Sequence, residues 1–198
     1  MSAVSARLLR AQDHIRMPWR NGGGVTREVA REPAPGLDFG WRLSIAEVAR
    51  DGGFSSFAGC QRIIAVLEGQ GMQLTVDGQA QSVLGPGAPY AFSGDARVEC
   101  RLPGGPIRDF NLIYRPERYS VRLQWLAGRA FGAFHSAAST VLLFNAGAGP
   151  LRLLRDGVAH VAPGRHDCLR LDGPAALAAY EIEAPSGLDA CLVEIAPR

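Results

Sequence analysis

The sequence predicts an all-β protein of two similar units, because one pattern of strands and turns occurs twice. In each copy an apolar run ends at a Gly-x-Gly turn, a second run ends at an Asp-Gly hairpin, and a Pro-Gly turn precedes the next strand. Asp-Gly between apolar runs is a strong hairpin signal, since both residues tolerate positive φ. The landmarks, including Asp77-Gly78 and Asp156-Gly157, lie roughly 77 to 79 positions apart, which is typical of a duplicated β unit rather than a solenoid.

The length and spacing of the strands predict the architecture of each unit. The apolar runs are of strand length, and 24 Gly and 13 Pro separate them. Such runs, turning at short intervals, favour antiparallel jelly-roll barrels. We therefore expect N-terminal strands and a first barrel in residues 1–116, and a second barrel in 117–198. The second barrel is expected to be mainly structural, because its charged residues fall at turns.

Composition argues against several classes of protein. With 198 residues and 47% hydrophobic composition, the chain can bury a substantial core. No apolar run reaches the length of a membrane span, and the first residues lack a hydrophobic stretch of signal-peptide length. The net charge is only +2 and the basic residues, all Arg, are dispersed. We expect a cytoplasmic protein that binds neither nucleic acid nor membranes.

The cysteines and histidines indicate no metal site and no other cofactor. The four cysteines are far apart without Cys-x-x-Cys spacing, so they are interpreted as small buried apolar residues. No His-x-His pair of the kind that holds iron, manganese or nickel in metal-binding β barrels occurs among the four histidines. Nucleophilic catalysis has little support either, because no Gly-x-Ser-x-Gly motif is present. The residues concerned are Cys60, Cys100, Cys168, Cys191, His14, His135, His160 and His166.

Polar residues alternate along three strands of the N-terminal half. Alternation places them on one side of each strand, either as a solvated outer face or as the interior of a barrel that encloses a ligand. The chain has no Lys, so an anion site must use Arg, backbone N–H groups or His. A ligand carboxylate could lie against Arg42 or Arg62, because the planar guanidinium can bond both of its oxygens. The alternating residues are Thr26, Glu28, Arg42, Ser44, Asp109 and Asn111.

A glycine-rich stretch at 19–24, Trp-Arg-Asn-Gly-Gly-Gly, is too rich in Gly for regular structure. It is either a flexible connector or a loop whose backbone contacts a ligand or covers the mouth of a barrel. It is not a phosphate-binding P-loop, because no Gly-Lys-Ser/Thr follows and the next element is predicted to be a strand.

The chain resembles the HutD/Ves family. The resemblance rests on motifs within the first 115 residues: Met-Pro-Trp-Arg-Asn-Gly-Gly-Gly-Val-Thr-Arg-Glu at 17–28, Trp-Arg-Leu-Ser-Ile-Ala at 41–46, Gly-Phe-Ser-Ser-Phe at 53–57, Phe-Ser-Gly-Asp at 92–95 and Asp-Phe-Asn at 109–111. It implies a bicupin, two cupin barrels without metal-binding histidines. It also implies binding of a small anionic metabolite of histidine catabolism, urocanate or N-formylglutamate, by a regulator of histidine utilisation.

These observations predict a ligand site in the first unit. We expect Arg42 or Arg62 to pair with a ligand carboxylate, while Glu28 and Asp109 accept an imidazole N–H or orient the arginines. The remaining predicted site residues hydrogen-bond polar ligand atoms or form walls, and they are Trp19, Asn21, Thr26, Ser44, Phe92 and Asn111.

Two other classes of function stay open at this point. The chain could be a metal-independent cupin enzyme, an isomerase or epimerase with Glu28 or Asp109 as general base. It could also be an interaction module that forms a homodimer through an exposed sheet edge.

Overall fold

The structure, a computed structural model, describes residues 4–19, 22–33, 39–128, 131–160, 163–185 and 187–198. The described residues form an all-β fold, as predicted, with one short 3-10 turn at Ala11–Asp13. The strands are β1 (Ser5–Leu9), β2 (Ile15–Pro18), β3 (Gly24–Glu32), β4 (Trp41–Val48), β5 (Gly52–Gly53), β6 (Gln61–Glu68), β7 (Gln73–Val76), β8 (Gln79–Ala80), β9 (Tyr90–Ser93), β10 (Val98–Arg101), β11 (Ile107–Tyr114), β12 (Tyr119–Ala127), β13 (Phe131–Ser136), β14 (Thr140–Asn145), β15 (Arg152–Arg155), β16 (Val158–His160), β17 (Cys168–Asp172), β18 (Ala178–Glu183) and β19 (Asp189–Pro197).

The chain divides into two compact units. One is His14–Arg118, and the other joins the segment that ends at Asp13 to Tyr119–Arg198. The sequence-based division put all of 1–116 into the first domain. The N-terminal segment groups with the second unit because β1 pairs antiparallel with β17, from Ser5 opposite Asp172 to Leu9 opposite Cys168. An edge strand with a weak alternation carries no signal that identifies its partner.

The strand order within the two units confirms the duplication. In the unit His14–Arg118, strands β4-β11-β6-β9 form part of a six-stranded sheet and β5-β10-β7-β8 form a four-stranded sheet. In the second unit the same two orders recur, eight strands later, as β12-β19-β14-β17 and β13-β18-β15-β16. The first unit then adds β3 and β2 beside β4, whereas the second adds β1 beside β17.

The two Asp-Gly hairpins have the backbone conformation that the sequence predicts. Asp77 and Gly78 have φ of 48° and 81°, and Asp156 and Gly157 have φ of 49° and 77°. Positive φ at both central residues defines a type I′ turn, whose twist matches that of the strands it joins. These turns connect β7 to β8 and β15 to β16.

Apolar side chains from both sheets of the unit His14–Arg118 form its core. The six-stranded sheet contributes residues such as Val48, Ile64 and Val66, and the four-stranded sheet contributes Leu74 and Val98. The second unit has an equivalent core drawn from β14, β15, β17, β18 and β19. All four cysteines are free and buried, in keeping with the prediction that they act as small apolar residues. Among the described residues, no helix is long and apolar enough to cross a membrane.

Candidate functional site

The antiparallel register of the six-stranded sheet aligns the predicted polar residues in rows. Directly opposite residues of neighbouring strands lie on the same face of a sheet. Three rows therefore cross the face that also carries the core residues Ile64 and Val66. They are Thr26–Ala46–Asp109–Val66, Glu28–Ser44–Asn111–Ile64 and Arg31–Arg42–Ile113–Arg62–Phe92. The predicted alternation along β3, β4 and β11 is confirmed, and it places these side chains on the inner face of the unit.

A cavity of about 360 Å³ opens above these rows. Six of the predicted site residues line it: Trp19, Thr26, Arg42, Arg62, Asp109 and Asn111. Five lining residues were not assigned to the site from sequence: Ala46, Gly53, Phe54, Ser55 and Phe57. Four of these belong to the Gly-Phe-Ser-Ser-Phe motif at 53–57, which was a usable signal because it belongs to the family resemblance and carries two aromatic rings.

Arg62 is the most deeply buried cation of the cavity. Arg62 is only 4% exposed. Its guanidinium carbon lies 5.3, 5.3 and 5.0 Å from the ring centres of Phe54, Phe57 and Phe92. Nη1 donates a hydrogen bond to the carbonyl oxygen of Ser55 (3.1 Å), and Nε has no hydrogen-bond partner. Burial lowers the pKa of Arg62 to about 10, an effect that Asp109 opposes and Arg42 reinforces. The side chain therefore stays charged at neutral pH.

Arg42 is the second cation of the cavity and is less buried. Its guanidinium lies 4.9 Å from the ring of Phe39 and 5.4 Å from that of Phe57. Its Nε has no hydrogen-bond partner. Burial lowers the pKa of Arg42, while the negative charge of Glu28 raises it. Glu28 also forms an ion pair with Arg31, at 3.6 Å between Oε2 and Nη1.

Asp109 and Asn111 supply the acceptor side of the cavity. Asp109 is 2% exposed and Asn111 is 9% exposed, and the Oδ1 atom of each has no hydrogen-bond partner. Burial raises the pKa of Asp109 to about 7, against the opposing effects of the Arg62 charge and a backbone hydrogen bond from Ala46. The thiol of Cys100 is also close enough to interact with this carboxyl, and burial raises the pKa of Cys100 to about 12. Asp109 thus changes its charge near neutral pH.

The glycine-rich stretch positions Trp19 at the edge of the cavity. Trp19 Nε1 donates a hydrogen bond to Thr26 Oγ1 (2.8 Å), and the Trp19 backbone N–H donates to the carbonyl oxygen of Gly24 (2.9 Å). Gly22 has φ of 66°, a conformation that suits glycine. Asn21, which was predicted to bind the ligand, lies outside the described residues.

Position 24 requires glycine because the backbone of Glu47 and the ring of Trp19 lie very close to it. A Cβ atom at this position would collide with the carbonyl oxygen of Glu47 and would lie 3.1 Å from ring atoms of Trp19. We expect Gly24→Ala to lower the free energy of unfolding by about 1–3 kcal/mol, as overpacked sites do. Urea denaturation followed by tryptophan fluorescence measures the change.

The control for this variant is Gly52→Ala, because nothing lies within 4 Å of a Cβ built at the exposed Gly52. Equal stability of the two variants would contradict the packing argument.

Three predicted site residues share the face but do not line the cavity. Ser44 is buried and its Oγ donates to the carbonyl oxygen of Asn111 (3.4 Å). Glu28 is paired with Arg31, and Phe92 lies beneath the guanidinium of Arg62. Ser44 and Phe92 thus contact lining residues, whereas the ion-pair partner of Glu28, Arg31, does not line the cavity. In the described part of the chain, no three His, Cys, Asp or Glu side chains come close enough together to hold a metal ion.

Comparison with known proteins places the chain in a family. The HutD family model matches residues 11–188. An uncharacterised 21.2 kDa protein from the 3′ region of hutC in Pseudomonas putida is 52% identical over 192 residues, covering 96% of this chain and 97% of that protein.

Two solved structures agree with this result. A conserved protein of unknown function from Pseudomonas aeruginosa PAO1 is 48% identical, with a TM-score of 0.93 over 97% of this chain and 99% of that one. HutD from Pseudomonas fluorescens SBW25, described in a formate condition, is 49% identical, with a TM-score of 0.86 over 98% of this chain and 100% of that one. The predicted resemblance is confirmed, and the chain belongs to the HutD family.

Proposed function

We propose that this protein binds a small anionic metabolite of histidine catabolism, urocanate or N-formylglutamate, without a metal, and thereby regulates histidine utilisation. The observation that carries the proposal is a buried, unpaired set of donors and acceptors around one cavity. We further propose that each unit is a cupin barrel and that the cavity is the interior of the first.

The carboxylate of the ligand binds at Arg62. Three aromatic rings lie against the guanidinium of Arg62, and Nη1 donates to the carbonyl oxygen of Ser55. Nε has no partner, so the ligand carboxylate binds the edge of the guanidinium that includes Nε. The edge of a guanidinium can form two parallel charge-assisted hydrogen bonds with a carboxylate, which adds geometric specificity as well as energy. Arg42 adds a second positive charge beside the same cavity.

An N–H group of the ligand binds at Asp109 and Asn111. Each has an Oδ1 atom that is buried and unpaired, and a buried acceptor left without a donor costs about 1–3 kcal/mol. A simple anion brings only acceptors and would leave these atoms unsatisfied. Urocanate has an imidazole N–H and N-formylglutamate has a formamide N–H, so each candidate carries both a carboxylate and a donor.

The comparisons support the link to histidine utilisation. The relative from P. putida is named for the 3′ region of hutC, and a similar structure is called HutD. That structure is described in a formate condition, and formate is the simplest carboxylate. A cavity of about 360 Å³ is at the small end of ligand pockets, which suits a metabolite of this size.

Isothermal titration calorimetry tests the proposal with matched ligands. We expect urocanate, N-formylglutamate or both to bind more tightly than formate, which lacks the N–H donor, and than imidazole, which lacks the carboxylate. Saturable binding by either metabolite with this ranking supports the proposal. Equal affinity for formate and the metabolites would overturn the role of Asp109 and Asn111, and no binding of either metabolite would overturn the proposed ligand class.

The affinity for N-formylglutamate is expected to rise with pH through about 7. An ionised Asp109 is a stronger acceptor for the ligand N–H than a protonated one, and burial raises the pKa of this carboxyl to about 7. Binding below this pH therefore releases up to one proton, and the affinity falls by up to about tenfold for each pH unit. Titrations between pH 5 and 8 measure this slope, since no group of this ligand titrates there.

The control for the pH dependence is Asp109→Asn, which should bind with an affinity that does not change over this range. An affinity of the wild type that rises as the pH falls would contradict the assignment, because it would mean that a protonated Asp109 donates to the anion.

A second candidate function is metal-independent catalysis with Asp109 as general base. The observation that favours it is the pKa of about 7, because a base is most effective when its pKa is near the working pH. Glu28, the other base predicted from sequence, is paired with Arg31. NMR spectra of urocanate and N-formylglutamate during prolonged incubation test this function. Turnover that is lost in Asp109→Asn would favour it over simple binding.

A further inference from the structure

One aromatic ring lies beside both cations of the cavity. Phe57 is 5.3 Å from the guanidinium of Arg62 and 5.4 Å from that of Arg42. Phe54 is also 5.3 Å from Arg62, and Phe39 is 4.9 Å from Arg42. Of these rings, Phe57 is the one for which the structure records a contact with each arginine.

We propose that Phe57 is a positioning residue that holds Arg42 and Arg62 as a pair, so that both cations act on one ligand anion. The role rests on the proposed function and adds to it a residue that the sequence did not assign to the site. Phe57 acts by positioning the two arginines and does not itself bind the ligand anion.

The physical reason for the role is the repulsion between two like charges. Arg42 contributes to the lowered pKa of Arg62, so the two guanidinium groups interact unfavourably across the cavity. Without a constraint, flexible arginine side chains would move apart or towards solvent. The face of an aromatic ring carries negative potential and attracts both cations, most strongly where water is excluded.

Backbone hydrogen bonds fix the segment that carries Phe57. The N–H of Phe57 donates to the carbonyl oxygen of Gly94 (2.8 Å), and its own carbonyl oxygen accepts from the N–H of Cys60 (3.1 Å). The N–H of Gly94 in turn donates to the carbonyl oxygen of Cys60 (2.7 Å). A Cβ on Gly94 would collide with the carbonyl oxygen of Phe57, so the approach of these two segments requires glycine. The ring also packs at 6.2 Å from that of Phe39.

The arginine Nε–H signals in NMR spectra test the proposal without any ligand. Aromatic rings shift the signals of nearby protons, and Arg42→Gln and Arg62→Gln assign the two signals. We expect Phe57→Leu to move both signals. The matched control, Phe54→Leu, should move the signal of Arg62 and leave that of Arg42 in place.

A binding experiment tests whether the positioning acts on the ligand. We expect Phe57→Leu to weaken the binding of urocanate and N-formylglutamate by about 30-fold, which is the size of a desolvated cation–π contact. In an Arg42→Gln background the loss caused by Phe57→Leu should shrink at least threefold, whereas the loss caused by Phe54→Leu should stay the same. The conservative variant Phe57→Tyr keeps the ring face and should restore most of the affinity.

Two results would overturn the inference. One is an Arg42 signal that does not respond to Phe57→Leu, and the other is an equal loss of affinity from Phe57→Leu with and without Arg42. If neither metabolite binds to the wild type, the proposed ligand class fails. The NMR result then still decides whether the ring of Phe57 lies beside both arginines.

Discussion

Replacing Arg62 by Gln is expected to reduce the affinity for urocanate and N-formylglutamate between about 30-fold and a few thousand-fold. Removing one partner of a buried, hydrogen-bonded charge pair costs about 2–5 kcal/mol, and each 1.4 kcal/mol is about tenfold in affinity. Arg62 is 4% exposed and three rings lie against its guanidinium, so water has little access to solvate the ligand carboxylate once the cation is removed. Isothermal titration calorimetry of the folded variant measures the loss.

Two further variants make the result specific. Arg42→Gln should cause a smaller loss, because Arg42 is less buried than Arg62. Arg97→Gln serves as the control, because Arg97 is an exposed residue of the same unit that pairs with Glu99 outside the cavity (3.0 Å). The assignment of the carboxylate to Arg62 would be wrong if the Arg62→Gln variant unfolds like the wild type and still binds both metabolites with full affinity.

Asp109→Asn is expected to stabilise the folded protein at pH 8, in the absence of ligand. Burial raises the pKa of Asp109 from 3.8 to about 7, so the folded state holds the proton more tightly than the unfolded state. The contribution of this carboxyl to stability is therefore intact below about pH 4 and is lost as the pH rises to about 7, and the loss is of the order of 4 kcal/mol. Asn is neutral at every pH and avoids the loss.

Chemical denaturation at pH 5, 6, 7 and 8 measures this effect. The stability difference between Asp109→Asn and the wild type should grow steadily from pH 5 to pH 7 and then level off. Glu99→Gln is the control, because Glu99 is an exposed carboxylate of β10, in the four-stranded sheet of the same unit. A stability difference that stays constant from pH 5 to pH 8 would contradict this expectation, because it would mean that Asp109 is already ionised in the folded protein at pH 5.

The faces of the individual strands could be predicted from the sequence. Alternation has a period of two, so Arg42 and Ser44 had to share one face of β4, and Asp109 and Asn111 had to share one face of β11. The duplication was readable for the same reason, since Asp77-Gly78 and Asp156-Gly157 mark equivalent hairpins. Both are properties of short stretches of chain.

The composition of the cavity could not be predicted in the same way. Phe54, Ser55 and Phe57 lie in a bend between β5 and β6, where no periodicity indicates the direction of a side chain. Ser44 has a polar side chain on the predicted face, yet its hydroxyl donates to the backbone carbonyl oxygen of Asn111 on the neighbouring strand and does not line the cavity. Such outcomes depend on which side chains meet across strands that are distant in sequence.

Local chemistry in the chain determined the all-β class, the repeated unit, the positions of the turns and the sidedness of β3, β4 and β11, because backbone preference and alternation act over a few residues. The tertiary structure alone decided that β1 joins the second unit, that rings surround Arg62 and that Asp109 titrates near neutral pH. Those properties arise from pairing register and from the exclusion of water, and both depend on contacts between residues that the sequence keeps far apart.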